Sequence, residues 1–215
     1  MNLKTLHIGK NNVFGDYAEQ QGQNVVSHSD LSEEMVSSYG RLVISAFSPL
    51  NKSGITQDAV IDFLTSNDLK AIEIIYLSTA RIGCRCEKYR YYVEAKLRQE
   101  KKLKKVFGGR LTIKRFTNIL PEKESPFLSN FLHMLRNNYR QGKIEFDVAP
   151  SSSWNFVLIR DAYEQIFSRG CSNVVASENV TAEEIARYLQ CKRAGVRASF
   201  GSDVASYSVS NDLSV

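Results

Sequence analysis

Short apolar runs alternate with segments of helical periodicity along nearly the whole of this 215-residue chain. Leu3–Ile8 reads as a strand, a glycine-bearing turn follows, and a helix is expected over about Asn12–Gln21. Further strands are expected at Asn24–His28, Arg41–Ala46 and Ala71–Leu77. Thr56 is placed to N-cap a helix carrying Ala59, Val60, Phe63 and Leu64 at helical spacing. The helix after the Ile72–Tyr76 run is stopped by Gly108 and Gly109. Then come a strand at Arg110–Phe116, ending near Pro121, and a helix at about Ser125–Gln141 with Phe127, Leu128, Phe131, Leu132 and Leu135 on one face. A strand at Ile144–Val148, a helix near Asp161–Ser168 and a strand at Asn173–Ala176 complete the series, before a capping box at Thr181–Glu184 opens a helix to about Gln190. Strands this continuously apolar need cover on both faces, and alternation with helices makes them parallel. The expected fold class is α/β, a doubly wound parallel sheet.

The net charge of +5 is local. Arg81–Lys105 holds ten Lys or Arg against three Glu, which leaves the remainder of the chain at −2. That segment reads as one long helix with Lys96, Arg98, Lys101, Lys102, Lys104 and Lys105 toward its end, where the macrodipole favours cations. A solvated helix end explains this better than a nucleic-acid surface, so no nucleic-acid partner is expected. No apolar run approaches the roughly 18 residues of a membrane span, and the first residues lack a secretory pattern. Four cysteines, Cys84, Cys86, Cys171 and Cys191, make no disulfide framework, and a cytoplasmic setting is expected. Cys84 and Cys86 lack a second ligand pair, and His7, His28 and His133 are scattered over different elements, so no metal site is expected.

In a doubly wound sheet, ligands bind beyond the carboxyl ends of the strands, where the strand order reverses. The first turn, Gly9-Lys10-Asn11-Asn12-Val13-Phe14-Gly15, lies there. Gly9 and Gly15 supply points of backbone freedom and close approach, as a pyrophosphate at a helix N-terminus requires. Asn12 stands between them, and asparagine is the next most tolerant residue of left-handed geometry. Tyr92 and Lys96 are one helical turn apart and share a face. A lysine beside a tyrosine favours the phenolate, so the phenol can act as acid or base. Ser78 and Thr79 end the preceding strand, where a hydroxyl could share the substrate oxygen with that phenol. Spacing alone decides little in a chain with ten tyrosines; the placement of the pair carries the reading. Tyr89 and Tyr91 adjoin Tyr92, so packing is the alternative, and Trp154 is expected to pack the start of the helix that follows it.

With these motifs in this order, the chain resembles the short-chain dehydrogenase/reductase superfamily, which has a Rossmann-like fold. It is most similar to the extended nucleotide-sugar epimerase, dehydratase and reductase branch, including dTDP-4-dehydrorhamnose reductase-like proteins. Its glycine fingerprint is similar to Gly9…Asn12…Gly15, with the middle glycine replaced. The resemblance maps the catalytic Thr, Tyr and Lys onto Thr79, Tyr92 and Lys96, and the Arg-x-x-Asn strand end onto Arg115 and Asn118 as substrate contacts. Lys96 would also hold the cofactor ribose. Cofactor contacts fall on Gly9, Lys10, Asn12, Val13, Phe14, Gly15 and Asp30, the last sharing its position after the second strand with Ser27, His28 and Ser29. The cofactor implied is NADP or NAD, and Lys10 gives a slight lean to NADP because it could meet a 2′-phosphate.

The departures from the family pattern are specific. The link between the second and third strands is short, so a helix usual in the family is shortened or missing. The Ser45–Ser48 segment matches the family only loosely, and the asparagine expected in the following helix has no counterpart. Residues 1–193 are expected as one Rossmann-like domain, with small substrate-side elements over about 118–193 forming a reduced C-terminal lobe. Residues 194–215 are expected as a Ser/Gly-rich tail, weakly ordered or borrowing a surface. The implied activity is NAD(P)-dependent oxidoreductase, epimerase or dehydratase chemistry on a nucleotide-activated sugar, in surface-polysaccharide biosynthesis. A homodimer is compatible with this. The rival reading is a non-catalytic dinucleotide-binding or scaffold protein of the same fold.

Overall fold

Six parallel strands form the central sheet, and the chain's β-branched apolar runs supply them. The computed structural model describes residues 3–45, 55–67, 69, 72–83, 90–122, 130–168, 173–174, 179–204 and 206–207. The first half runs β1 (Thr5–Ile8), α1 (Val13–Gln20), β2 (Asn24–Val26), α2 (Glu33–Ser37), β3 (Arg41–Ile44), α3 (Ile55–Ser66), β4 (Glu73–Thr79), α4 (Arg90–Phe107) and β5 (Leu111–Phe116). The second half runs β6 (Asn118–Leu120), α5 (Asn130–Arg140), β7 (Lys143–Phe146), β8 (Ser153–Leu158), α6 (Ile159–Ile166), β9 (Asn173–Val174), β10 (Asn179–Thr181), α7 (Ala182–Lys192), β11 (Arg197–Phe200) and β12 (Ser206–Tyr207).

The strand order is β2-β1-β3-β4-β5-β9, with every neighbouring pair parallel. The chain leaves β1 to one side for β2 and returns on the other side for β3, so the switch point lies at the carboxyl end of β1. There Gly9 N donates to Val26 O at 2.9 Å and Ser45 N to Ile8 O at 2.9 Å, clamping that end between both neighbours. On one face Leu6, Ile8, Leu42, Ile44, Ile74 and Tyr76 pack under Val60, Ile61 and Leu64 of α3 and Leu103 and Phe107 of α4. On the other face Val43, Ile75, Leu77 and Phe116 meet Ala162 and Ile166 of α6, with Phe14 of α1 at the margin. Each such fully buried aliphatic stabilises by about 1.5–3 kcal/mol, so the alternating faces fix the register. Buried Lys114 of β5 donates to Ser168 O at 2.7 Å, just beyond the C-terminus of α6, and so ties that helix end to the sheet.

The α/β doubly wound sheet expected from the alternation is the observed one. The link between the second and third strands holds a single 3₁₀ turn, His28–Asp30, and the five-residue α2, a shortened helix. The capping box is complete: Thr181 Oγ1 accepts from Glu184 N at 3.2 Å, and Glu184 Oε2 accepts from Thr181 N at 2.8 Å. Other expectations shift. Helix α3 is already running at Ile55, so Thr56 lies inside it and is not its N-cap. The first part of the helix expected from Ser125, the end of the strand expected to Ala176, and Ala46–Ser48 fall outside the described residues, as do Cys84, Cys86 and Cys171.

A third core lies away from the sheet. Ile144, Phe146, Val148, Trp154, Ala182, Ala186 and Val196 enclose it, with Phe131 stacked on Trp154 at 4.9 Å between ring centroids. Trp154 therefore lies in β8 and packs this core against Phe131 and Phe146, where it was expected to pack the start of the helix that follows. The expected tail beyond residue 194 borrows a surface over part of its length. Strand β11 pairs parallel with β7, β12 pairs parallel with β8, and Phe200 stacks on Phe146 at 5.4 Å.

Phe200→Ala should lower stability by about 1–3 kcal/mol, since it removes a half-buried ring from a stacked pair. Urea unfolding measures this, and an unchanged midpoint would mean that residues 197–200 add nothing to the lobe.

Candidate active site

Gly9 makes the first bend with φ 129°, a conformation open to glycine and strained for any other residue. Gly15 is required for a different reason. A Cβ there would lie 2.1 Å from Gly9 O, so α1 rests directly on the turn. Asn12 does not use its tolerance of left-handed backbone: its φ is −153° and its ψ 170°, the extended geometry of a helix N-cap. Its Oδ1 accepts from Phe14 N and Gly15 N, both at 3.0 Å. Its Nδ2 donates to Gly9 O at 2.7 Å and Ser45 O at 2.9 Å. One side chain thus caps α1 and ties the turn to the end of β3.

The remaining turn residues spread outward. Phe14 packs on Phe116 at 4.9 Å, holding α1 against β5. Val13 faces a shallow recess of about 110 Å³ that it shares with Tyr17, Pro121 and Ile159. Exposed Lys10 pairs with Glu19 at 3.4 Å. Asp30 ends the 3₁₀ turn after β2, and Ser29 Oγ donates to its Oδ1 at 3.0 Å.

Thr79 and Tyr92 meet at the carboxyl end of β4. Thr79 Oγ1 accepts from Arg81 N at 3.2 Å, and the Thr79 side chain is also a hydrogen-bond partner of Tyr92. Burial pushes the Tyr92 phenol above its ordinary pKa, while the Thr79 hydrogen bond and the Arg81 charge pull it down. The residue as a whole is only half-buried; its hydroxyl end is the enclosed part. Arg81 also donates from its guanidinium to Asn118 Oδ1 at 2.8 Å, and Asn118 Nδ2 donates to Asn155 O at 3.1 Å. This links the end of β4 to the lobe strand β8.

Lys96 is 2% exposed. Its Nζ donates to Leu77 O at 3.0 Å and lies 4.8 Å from the centroid of the Tyr76 ring. Burial lowers its pKa to about 7, against a smaller upward pull from Glu100. Next to it Tyr76 donates to Gln99 Oε1 at 2.5 Å, and Gln99 donates to Asp58 Oδ1 of α3 at 2.7 Å. Glu100 holds Arg115 through two contacts, 2.6 and 3.1 Å. The structure thus brings Thr79, Tyr92 and Asn118 to one edge, joined by Arg81. Lys96 lies one helical turn further along α4, and Arg115 is engaged in an ion pair on the α4 side of the sheet.

Arg81 and Gln99 escaped the sequence reading. A signal existed for each: Arg81 is the second residue after the strand hydroxyl, and Gln99 is three after Lys96 and four before buried Leu103. His7, on β1, is fully buried with Nε2 3.0 Å from Tyr163 Oη, and burial lowers its pKa to about 4. Among the described residues no group of three or more His, Cys, Asp or Glu is placed to hold a metal ion. Among them, too, no helix is long and apolar enough to cross a membrane.

No family model matches the chain, and no curated protein matches it in sequence. Solved structures do match in fold. The NAD-dependent NDP-hexosamine 5,6-dehydratase TunA of tunicamycin biosynthesis superposes with a TM-score of 0.76 at 13% identity, over 99% of this chain and 89% of its own. The UDP-glucuronic acid 4-epimerase of Bacillus cereus gives 0.69 at 12% identity, over 98% and 90%. The L-threonine dehydrogenase of Phytophthora infestans gives 0.69 at 14%, over 96% and 89%. The fold is therefore the Rossmann-like α/β fold of these structures.

The depressed Lys96 pKa has a consequence for stability. Between pH 7 and about 9 the unfolded chain still holds a proton that the folded chain has released, so stability rises with pH, by up to about 1.4 kcal/mol per unit. Lys96→Met should flatten that rise. Denaturant curves at pH 7, 8 and 9 decide it, and identical slopes for both proteins would mean that folded Lys96 keeps its charge.

Proposed function

We propose that this chain is a nicotinamide-dinucleotide-dependent enzyme acting on a nucleotide-activated sugar, as a reductase, epimerase or dehydratase. The observation that carries the proposal is the Thr79–Tyr92 hydrogen bond at the carboxyl end of β4, one strand from the β1/β3 switch point. TunA is an NAD-dependent NDP-hexosamine dehydratase and the Bacillus protein was solved with UDP-glucuronic acid and NAD, which supports this substrate class and cofactor. A setting in surface-polysaccharide biosynthesis follows the family resemblance alone.

The residues present fit a dinucleotide laid along the carboxyl ends of β1, β3 and β4. Gly9 and Gly15 form the tight turn that close approach requires, and Asp30, at the end of the 3₁₀ turn that follows β2, is the candidate for a ribose hydroxyl. At the other end the buried Ser78 hydroxyl has no hydrogen-bond partner among the described residues, and neither has Thr117 Oγ1 just after β5. An unpartnered buried hydroxyl costs about 1–3 kcal/mol, which a polar ligand or water would relieve. When bound, the nicotinamide would supply hydride exchange. Lys10, in an exposed pair worth little, is available to a 2′-phosphate, which keeps the slight lean to NADP.

The chain's own groups handle the proton. Thr79 directs its hydroxyl at the Tyr92 oxygen and Arg81 adds positive charge, so both favour the phenolate. Tyr92 then takes a proton from a sugar hydroxyl or returns one to a carbonyl. Lys96, near neutrality in its pKa, holds the strand end through Leu77 O and can exchange that contact for a ribose hydroxyl. Asn118 and Arg115 remain the proposed substrate contacts, Arg115 only after release from Glu100. A second reading, a non-catalytic dinucleotide-binding or scaffold protein, is favoured by one observation: the Asn12 side chain already occupies the α1 amides.

Tyr92→Phe deletes one hydroxyl, and turnover of a nucleotide sugar should fall by a factor on the order of 10² to 10⁴. An unchanged rate would remove Tyr92 from the mechanism. Arg81→Met should move the rising limb of the rate–pH profile to higher pH, because the phenol loses a stabilising charge, and Arg81→Lys should move it part of the way back. A limb that stays in place would confine Arg81 to its structural bond with Asn118.

A further inference from the structure

The α1 N-terminus is where a diphosphate would meet backbone amides in this fold, and the protein has filled that place with its own side chain. Asn12 Oδ1 holds Phe14 N and Gly15 N at 3.0 Å each, as a phosphate oxygen would. The amide end of the same side chain is not idle. It donates to Gly9 O at 2.7 Å and to Ser45 O at 2.9 Å, with Ser45 Oγ at 3.3 Å. These contacts join the first turn to the end of β3, across the switch point itself. Ser45 is held in place in turn, by Ser45 N donating to Ile8 O at 2.9 Å and by its buried side chain. Asn12 is thus oriented at both ends of its carboxamide, by two bonds accepted and two donated to the backbone.

We propose that the Asn12 carboxamide is a built-in competitor for the diphosphate of a dinucleotide, and that it sets the affinity of this chain for that ligand. The proposal rests on the dinucleotide reading above and deepens it. A diphosphate reaches Phe14 N only after the carboxamide has turned away, and turning away also breaks the bonds to Gly9 O and Ser45 O. The chain therefore binds through a minor, opened state, and its apparent affinity is reduced by the fraction of molecules in that state. A glycine at this position has nothing to displace, whereas a carboxylate there would still accept from the α1 amides, lose the bonds donated to Gly9 O and Ser45 O, and add repulsion toward phosphate.

Three proteins test this: wild type, Asn12→Gly and Asn12→Asp, each titrated calorimetrically with NAD⁺ and with NADP⁺. Glycine is tolerated at N-caps, so the first variant should fold, and the melting temperature of each ligand-free protein checks that. Asn12→Gly should bind the preferred dinucleotide tighter than wild type by a factor on the order of ten or more, and Asn12→Asp should bind it more weakly than either. Equal affinity of wild type and Asn12→Gly would overturn the proposal and leave the dinucleotide reading standing. No binding by any of the three folded proteins would overturn both.

Discussion

Helix α4 is docked on the sheet by polar groups, and the position of the proposed acid–base pair depends on that. Along its buried face run Lys96, Gln99 and Glu100, followed only later by Leu103 and Phe107. Each buried polar group has a partner with good geometry: Lys96 on Leu77 O, Gln99 between Tyr76 and Asp58, and Glu100 on Arg115. An apolar face could slide or rotate with little penalty, but hydrogen-bonded groups away from water fix one register. With α4 so fixed, its first turn delivers Tyr92 to Thr79. The same burial draws the Lys96 pKa down to about 7, so the group that anchors the helix is also able to lose its charge near neutrality.

The two ends of the proposed site are built to different degrees. At the β4 end, Thr79, Tyr92, Arg81 and Asn118 form a connected set that reaches Asn155 in the lobe. Motion of the lobe would therefore be felt at the phenol. At the β1 end, the turn has the tight packing of Gly15 on Gly9, yet the helix amides are closed by Asn12. On the proposed reading, one end transfers the proton and the other is held shut against the dinucleotide.

Much of the sheet was legible in the sequence, because the strands are rich in apolar residues that alternate between two covered faces, Ile74 on one and Ile75 on the other, as a doubly covered sheet demands. The lobe was less so. Strand β8 was missed because Ser153 and Asn155 interrupt the apolar residues, although Trp154 is nearly fully buried. Strand β11 lies in a segment whose Ser and Gly content read as a tail, and its order comes from pairing with distant β7. The Tyr92–Thr79 meeting was readable from strand-end hydroxyl and helix-start phenol. The burial of Lys96 was harder to see among the neighbouring lysines, and only its spacing to Leu103 and Phe107 told it apart. The dual role of Asn12 was out of reach, since Ser45, its partner across the switch point, is 33 residues away.

A crystal structure of the chain with NADP⁺ bound is the most direct test of the proposed site. The expected result is ligand along the carboxyl ends of β1, β3 and β4, with its diphosphate at the Gly9–Gly15 turn, the Asn12 side chain turned away, and the nicotinamide beside Thr79, Tyr92 and Lys96. Ligand bound elsewhere, or an Asn12 that still caps α1 beneath a bound diphosphate, would contradict it.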